Sequence, residues 1–468
     1  MASNYTHDNA DYSVIDKARM TLGHASAGLL LPGIDSTTRK EATRLCARDH
    51  LEHHVFFNSR GFHNHLNHHL LATFTMGGSA ERLQTIFDIN KTIERPLASF
   101  SNDVVITSDN YKDHLADELC YSAFVNFFHK RLEDAGENWK SAAFEYVFDP
   151  QIFQHVMSGL FHPFIQLGYG LEFESKAITA AALAQACVHS PSYKKLLLSD
   201  TFAEICSGTL ANDSKGFSLI QIIDMIREDG LASEITYAEQ PFSDANRAAA
   251  ESLAIKYAKM WMVEPTQDAV DAKYRELLSV VALVYGSLTR PGHKRLLHFV
   301  LMHCLTSAYF LPILFESLTV DQQAKLLQAH CAVTLGTFAI HGSPKLYIPS
   351  EVIAVDTRHV TTLSQTDSGN PWLAVFEKAI ASDDMHVAKV IRSLWRGNLL
   401  NAFASQTESV EGYDMPPPIN WLYLAQITVD TIQASTFKDL DQQAQEGKRS
   451  WVHGMIGCDA FWTEYPKE

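Results

Sequence analysis

Histidine is the residue type whose number and placement in this sequence most suggest chemistry. The chain has 22 histidines in 468 residues, and many stand in apolar segments instead of among charged side chains. Neutral imidazole is the commonest protein ligand for metal ions, and it also transfers protons near neutral pH. A single buried histidine is more often a hydrogen-bonded core residue than a ligand, so the hypothesis of a metal site depends on several histidines together.

The densest group of histidines lies between residues 54 and 78. If this segment is helical from about Phe62, then His65, His68 and His69 stand at positions i, i+3 and i+4 and share one face. Three imidazoles on one face are unlike the apolar face of an ordinary core helix. We therefore expect one or two of them to bind a metal ion.

Three further segments place single histidines in apolar surroundings. His162 lies on an otherwise apolar and aromatic face, and His303 stands in the middle of a long apolar stretch. His386 is three residues before Lys389, one helical turn away, and Asp383 precedes it by three residues. Because a buried polar group needs a strong partner, these positions are candidates for metal ligands.

Helical periodicity dominates the elements that must position these residues. We predict an all-α protein in which a large multi-helix domain spans 36–440, flanked by an N-terminal extension at 1–35 and a C-terminal extension at 441–468. Val104 to Thr107 and Lys345 to Val355 have strand-like composition but too few partners for a sheet. Helices are predicted from Ser36 toward His54, from Asn64 to Met76, and at about 112–148, 151–173, 176–189, 217–229, 243–263, 267–287, 293–311, 320–341, 372–403 and 419–434.

Charge and cysteine content narrow the expected partners and location. There are 54 acidic against 38 basic side chains, a formal charge of −16, and no Lys/Arg-rich stretch, so we expect no nucleic-acid partner. The seven scattered cysteines include no C-x-x-C pair, which favours a reducing, cytoplasmic location. Residues 296–315 approach the length of a membrane span, but polar side chains such as His303 within them favour a buried helix and no membrane partner.

Missing motifs argue against several enzyme classes. The sequence has no G-x-G-x-x-G opening a helix after a strand, no P-loop, no G-x-S-x-G and no H-E-x-x-H. It also has no Glu-x-x-His, the pair that supplies ligands in ferritin-type di-iron bundles. His50 and Glu52 have the H-x-E spacing of facial-triad iron oxygenases, but those ligands come from a β-strand and this segment is predicted to be helical.

The four histidine segments, in this order, resemble the questin oxidase-like family of fungal polyketide clusters over roughly residues 50–400. The most specific segments are FHNHLNHHLL at 62–71 and FHPFIQLGYGLE at 161–172. The resemblance implies a helical oxidoreductase that cleaves an anthraquinone to a benzophenone-type product, with a Baeyer–Villiger-type outcome and no flavin. It further implies non-heme iron(II) held by four histidines and by a lysine carboxylated by CO2. The ligands that match this pattern are His65, His162, His303, His386 and Lys389.

Two of these assignments have alternatives. His69 could replace His65, and Lys378, two helical turns before His386, could replace Lys389. A lysine reacts with CO2 only as the neutral amine, so its pKa must fall from about 10.4, which burial accomplishes. Five such ligands would leave one octahedral position for O2 or for the substrate, an arrangement suited to a dioxygenase or another oxygenase.

The reactants follow from the same resemblance. It implies a small aromatic polyketide substrate and O2, with NADPH, supplied directly or through a partner reductase, as an optional reductant. Aromatic residues flank the predicted ligands, and Tyr169, Phe62 and Trp395 are predicted to line the substrate pocket. Asp383 and Glu172 are predicted to orient ligand imidazoles through their second nitrogens.

Two alternatives remain at this point. A metal-free, NADPH-dependent oxidase could use the histidines as acid and base. A non-catalytic helical scaffold could use them structurally, although such a scaffold predicts an internal repeat, and the sequence shows none.

Overall fold

The computed structural model describes residues 11–100, 102–208, 217–237, 242–353, 369–403, 418–432 and 451–467. Within these ranges almost all regular structure is helical, and only isolated β-bridges occur, so the predicted all-α fold is confirmed. The first ten helices are α1 (Ser13–Ala18), α2 (Ser36–Glu52), α3 (Leu66–Thr75), α4 (Ala80–Asn90), α5 (Tyr121–Asp134), α6 (Trp139–Val147), α7 (Phe153–Val156), α8 (Ser158–Glu172), α9 (Lys176–Val188) and α10 (Ser199–Ser207). The others are α11 (Leu219–Glu228), α12 (Asp244–Ala258), α13 (Gln267–Gly286), α14 (Phe299–Ala308), α15 (Leu311–Phe315), α16 (Val320–Ile340), α17 (Ser350–Ile353), α18 (Pro371–Ala381), α19 (Val387–Phe403), α20 (Trp421–Thr431) and α21 (Asp459–Glu464).

Several predicted helices are shorter or broken for identifiable reasons. The predicted helix at 112–148 divides into α5 and α6 around Gly136, which has a φ of 58° and ends the first helix in a left-handed turn. The predicted helix at 372–403 divides into α18 and α19, because Asp384 accepts backbone N–H groups at the start of α19 as an N-capping residue does. At the start of α2 the cap is Asp35 and not Ser36.

The strand-like segments do not form strands in the described residues. Val104 to Thr107 is irregular, and residues 350–353 of the second segment form the short helix α17. A lone segment of strand composition has no neighbour to receive its backbone hydrogen bonds, so it adopts other structure.

Four helices meet where the candidate histidines lie. α14 packs on α8 and α19, and α3 packs on the same two helices. Every residue of α14 is buried, as predicted for the long apolar stretch around His303. In the part of the chain that the structure describes, no helix has both the length and the apolarity needed to cross a bilayer.

The described parts of the two predicted extensions pack on this helical domain. Near the N-terminus, Gly23 N–H donates to the carbonyl of Phe173 at the end of α8, and Ala25 is buried. Near the C-terminus, Trp451 is buried, and Val452 N–H donates to the carbonyl of Leu297 just before α14. Both segments thus contact helices that carry candidate ligands.

Candidate metal centre

Four imidazoles from four separate parts of the chain converge at one point. His65 Nε2 lies 2.8 Å from His162 Nε2 and 3.1 Å from His386 Nε2. One ligand nitrogen from each of His65, His303 and His386 lies within 4.8 Å of the other two. All four side chains are buried. The structure therefore brings together the four histidines selected from the sequence.

Each imidazole is placed by the end or the middle of a helix. His65 is the residue before α3, and His386 is the residue before α19. His303 lies in the middle of α14. His162 follows a left-handed turn at Gly159, where an added Cβ would lie 2.2 Å from His189 Nε2, so only glycine fits.

The second ring nitrogen of each imidazole faces an oxygen. His65 Nδ1 donates to the carbonyl of His63 at 2.5 Å, His162 Nδ1 to that of Gly159 at 2.5 Å, and His303 Nδ1 to that of Phe299 at 2.8 Å. A carbonyl oxygen only accepts, so in these three rings Nδ1 carries the proton and Nε2 carries the lone pair. The fourth ring is turned similarly, with His386 Nδ1 3.6 Å from Asp384 Oδ1.

The resulting arrangement is unfavourable unless a cation lies among the imidazoles. Burial lowers the pKa of His65, His162, His303 and His386 well below 6.5, so the rings are neutral. The Nε2 atom of His65 then lies 2.8 Å from that of His162 and 3.1 Å from that of His386, and the lone pairs face each other without a proton between them. Two imidazole nitrogens bound at right angles to one divalent metal ion, each about 2.1 Å from it, would be about 3.0 Å apart. The donor set thus fits a transition-metal ion.

Lys389 adds an uncompensated amine beside these rings. It is 3% exposed, and Nζ has no hydrogen-bond partner among the described residues. Burial lowers the pKa of Lys389 to about 7, although the Asp384 carboxylate opposes this shift. Burial and then the positive charge of Lys389 lower the pKa of His65 and of His386. The side chain does not reach water, so it is not a surface lysine.

The alternative ligands are not brought to this point. Lys378 is 43% exposed at its side chain and forms an ion pair with Asp430 at 2.8 Å, so the structure does not bring it to the imidazoles. His69 is buried and has no hydrogen-bond partner at either ring nitrogen in the described residues, but it is not a member of the group that contains His65. The choice of His65 over His69 therefore agrees with the geometry.

The two carboxylates predicted to orient ligand imidazoles have other partners. Asp383 forms an ion pair with Arg82 at 2.9 Å and is half exposed. Its neighbour Asp384 is the carboxylate that faces His386. The prediction was off by one residue because it assumed that one continuous helix carried both positions.

Glu172 belongs to a buried ion pair and not to a ligand imidazole. Its Oε1 accepts hydrogen bonds from Arg392 Nη2 and from Tyr309 Oη, the latter at 2.7 Å. The Arg392 Nη2 to Tyr309 Oη distance is 2.6 Å, so the three groups are in mutual contact. This cluster connects α8, α19 and the end of α14 beside the metal centre.

The predicted pocket residues fare differently. Tyr169 is fully buried, and its ring stacks on that of His68 with centroids 5.1 Å apart, so it lies beside the centre. Phe62 is 36% exposed and packs near Phe57. Trp395 is partly buried and packs on Phe376. Among the described ring contacts, neither Phe62 nor Trp395 touches a predicted ligand, and their place in the pocket stays a prediction.

Two histidines that the sequence did not assign also border the centre. His63 stacks on His162 with ring centroids 4.0 Å apart and an interplanar angle of 6°. His68 Nε2 lies 2.7 Å from Gln166 Oε1. The prediction missed His63 because it began the helix near Phe62, whereas α3 begins at Leu66 and the preceding segment is irregular. The signal that could have identified His63 is its spacing of two residues from His65, which suits an extended segment and not a helix.

Comparison with known proteins identifies one family and several curated relatives. The sequence pattern described as questin oxidase-like matches residues 62–394, which include all five predicted ligands. A Baeyer-Villiger oxidase of Paecilomyces divaricatus is 27% identical over 427 residues, covering 87% of this chain and 89% of the relative. An oxidoreductase of Aspergillus parasiticus is 26% identical, covering 92% and 90%. A questin oxidase of Aspergillus terreus is 28% identical, covering 90% and 92%.

Proposed function

Because the chain belongs to the questin oxidase-like family, we propose that it is a non-heme iron-dependent oxygenase that opens the central ring of an anthraquinone to give a benzophenone-type product. Its relatives are named as oxidases and as an oxidoreductase, so the enzyme class is oxidoreductase. The metal, the substrate and the modified lysine are the parts that we propose, within fungal polyketide metabolism.

One observation carries the metal dependence. His65 Nε2 faces His162 Nε2 and His386 Nε2 at 2.8 and 3.1 Å, while the Nδ1 protons of His65 and His162 are directed at carbonyl oxygens. Neutral imidazoles in this arrangement cannot share a proton between their Nε2 atoms. A divalent ion held by these three rings and by His303 removes the conflict.

The centre would be completed by an oxygen donor from Lys389. Its neutral amine can attack CO2: an N–C bond forms, one C=O π bond of CO2 opens, and one proton leaves the nitrogen, which gives an anionic carbamate. The absence of a hydrogen-bond partner at Nζ among the described residues leaves the amine free for this reaction. Nitrogen donors with one anionic oxygen donor suit iron(II), and manganese and zinc are the competing ions.

The protein's own contribution would be to orient the donors and exclude water. Iron bound by these residues would supply Lewis acidity and a position for O2. The carbonyl groups of His63, Gly159 and Phe299 fix the ring orientations, so the Nε2 atoms need no rearrangement to bind the ion. Burial of the ligands raises the strength of electrostatic interactions at the centre. Tyr169 is the remaining candidate for contact with a flat aromatic substrate.

The electron balance determines whether a reductant is needed. If one atom of O2 enters the product and the other leaves as water, two electrons must come from NADPH, directly or through a reductase, or from a substrate supplied in reduced form. If both atoms enter the product, the balance is the same, because opening the ring of a quinone to a carboxylic acid and a phenol adds only the elements of one oxygen atom and one water; the two electrons are then dispensable only when the substrate is supplied in reduced form. The metal-free, NADPH-dependent oxidase remains the competing proposal.

Metal analysis and labelled oxygen test the proposal. The protein, loaded anaerobically with iron(II), is expected to bind one ion per chain and to convert questin under ¹⁸O2 to a ring-opened product containing one or two labelled oxygens. His303→Ala should bind less than a tenth as much iron and lose turnover, because it removes one donor. Full turnover by protein whose content of iron, manganese and zinc together is below one part in a hundred would favour the metal-free oxidase.

A further inference from the structure

A short segment near the C-terminus lies against the metal centre although it is outside the matched residues 62–394. Residues 451–457, here called the C-terminal strap, are irregular and include the buried Trp451. The strap pairs with the chain just before α14. Val452 N–H donates to the Leu297 carbonyl at 3.0 Å, and Phe299 N–H donates to the Val452 carbonyl at 2.7 Å.

The side chain of Trp451 reaches the segment that carries His386. Trp451 Nε1–H donates to Asp384 Oδ2 at 3.0 Å. The other carboxylate oxygen, Oδ1, accepts the backbone N–H of His386 at 2.7 Å and that of Val387 at 3.2 Å. The same Oδ1 is 3.6 Å from His386 Nδ1. One buried carboxylate therefore connects the indole of Trp451 with the backbone of a ligand and lies next to that ligand's ring, without a hydrogen bond to its Nδ1.

The strap also reaches a second ligand, through the backbone of Phe299. The carbonyl of Val452 accepts the N–H of Phe299, and the carbonyl of Phe299 accepts Nδ1–H of His303. The Phe299 ring lies between the two ligand rings and the strap, with centroids 4.9 Å from His303, 4.8 Å from His386 and 4.4 Å from His453. Two of the four imidazoles are thus oriented by groups that the strap holds.

We propose that Trp451 is a positioning residue of the metal centre, acting on His386 through Asp384, and that the C-terminal strap is a required part of the site. The inference rests on the proposed metal dependence and deepens it. Without the indole donor, a buried carboxylate oxygen loses a partner, and Asp384 turns toward other donors. The ring of His386 then loses its fixed orientation. Changes to groups that orient ligand histidines typically weaken metal binding 10- to 100-fold.

Trp451→Phe is the test, because it removes the N–H donor and keeps an aromatic ring. Trp261→Phe is the matched control, since Trp261 Nε1–H also donates to a buried carboxylate, Glu276 Oε2 at 2.9 Å, at a site without metal ligands. Both variants should lower the midpoint of thermal unfolding by similar amounts. Anaerobic titration with cobalt(II), followed by its visible absorption, measures the affinity and the ligand geometry without depending on turnover.

The expected result is a 10- to 100-fold weaker cobalt(II) affinity and an altered absorption spectrum in Trp451→Phe, with wild-type values in Trp261→Phe. In an Asp384→Asn background, Trp451→Phe should cause little further loss, because both changes break one connection. Equal affinities in wild type and Trp451→Phe would overturn the positioning role and leave the proposed function standing. A wild-type protein that binds no metal would overturn both.

Discussion

Two lysines of this protein are buried to nearly the same degree, and their surroundings differ completely. Lys273 on α13 is 2% exposed and Lys389 on α19 is 3% exposed. Lys273 Nζ donates to Glu276 Oε2 at 3.0 Å and lies over the ring of Trp261. Lys389 Nζ has no hydrogen-bond partner in the described chain, and its charge contributes to the lowered pKa of the buried imidazoles of His65 and His386. A buried base with its partners complete serves the fold, and one without them indicates a site for chemistry.

Buried histidines show the same difference. His330 on α16 has hydroxyl groups at both ring nitrogens, Ser307 Oγ at 2.8 Å and Thr334 Oγ1 at 3.4 Å. His303 on the neighbouring α14 has a partner at Nδ1, but its Nε2 has none among the described residues. The two rings are equally buried. Burial alone therefore does not distinguish the two rings; His303 differs from His330 in its unpaired Nε2 and in belonging to a group of converging ring nitrogens.

Replacement of each lysine by methionine is expected to give the largest effects, with turnover lost in one variant and stability lost in the other. Lys389→Met removes the proposed oxygen donor and should lower turnover by a factor of 1,000 or more, since the proposed centre would lose one of its ligands. Its free energy of unfolding, measured in urea on metal-free protein, should not fall, because an uncompensated amine leaves the core. Lys273→Met should retain turnover but lose about 3–5 kcal/mol of stability, because Glu276 is left buried and unpaired.

Steady-state turnover of questin and urea unfolding provide both measurements on the same preparations. The comparison fails if Lys389→Met keeps more than a tenth of wild-type turnover. It also fails if the two variants lose stability equally, since the lysines would then have equivalent surroundings.

Removal of CO2 is expected to give the next largest effect. Protein prepared in CO2-free buffer should lose at least nine tenths of its activity, because the uncarboxylated amine repels the metal ion, and bicarbonate should restore it. Carbon-13 NMR with labelled bicarbonate should show one protein-bound carbamate in wild type and in Lys273→Met, and none in Lys389→Met. Activity that is indifferent to CO2 would show that Lys389 acts as a free amine.

The buried ion pair between Glu172 and Arg392 lies beside the centre, but its two charges are paired. It therefore tests whether a residue belongs to the site because it is near the imidazoles or because its polar atoms lack hydrogen-bond partners. Glu172→Gln leaves Arg392 without its carboxylate and should cost about 3–5 kcal/mol of unfolding free energy. Because Glu172 contacts no ligand imidazole, metal stoichiometry should stay at one per chain. Plasma emission analysis and urea unfolding measure the two quantities. Loss of the metal at unchanged stability would place Glu172 in the metal site after all.

The sequence predicted the helical fold and the four converging imidazoles, but it did not predict which neighbours contact them. His162, His303 and His386 could be selected because each is a polar residue in an apolar segment, and that pattern survives in the structure. The direction in which a side chain points from a helix is harder to predict, since an error of one residue turns the predicted direction by about 100°. The predicted helix at 372–403 is broken near Asp384, so residues on the two sides of the break do not share the faces that one continuous helix would give them.

Long-range contacts could not be read from local pattern at all. Trp451 and Asp384 are 67 residues apart, and no periodicity connects them. Phe62 and Trp395 were chosen because they are aromatic and near ligands in sequence, yet their described ring contacts are with Phe57 and Phe376 and not with a ligand imidazole. Tyr169 does lie beside the candidate centre, because it comes seven residues, about two helical turns, after His162 on the same helix.

The smallest predicted effect concerns pH and the fully partnered His330. Burial lowers its pKa from 6.5 to about 3, so the unfolded chain binds a proton that the folded chain does not as the pH falls below 6.5. Stability is therefore complete above pH 6.5 and is lost between pH 6.5 and about 3, by up to about 1.4 kcal/mol per pH unit for each such histidine. His330→Gln keeps hydrogen-bonding capacity and does not titrate, so urea unfolding of its metal-free form at pH 7, 6 and 5 should show a slope smaller by one proton. Parallel slopes in the variant and the wild type would mean that His330 becomes protonated in the folded protein, and it would then differ from the neutral imidazoles of the candidate centre in charge as well as in partners.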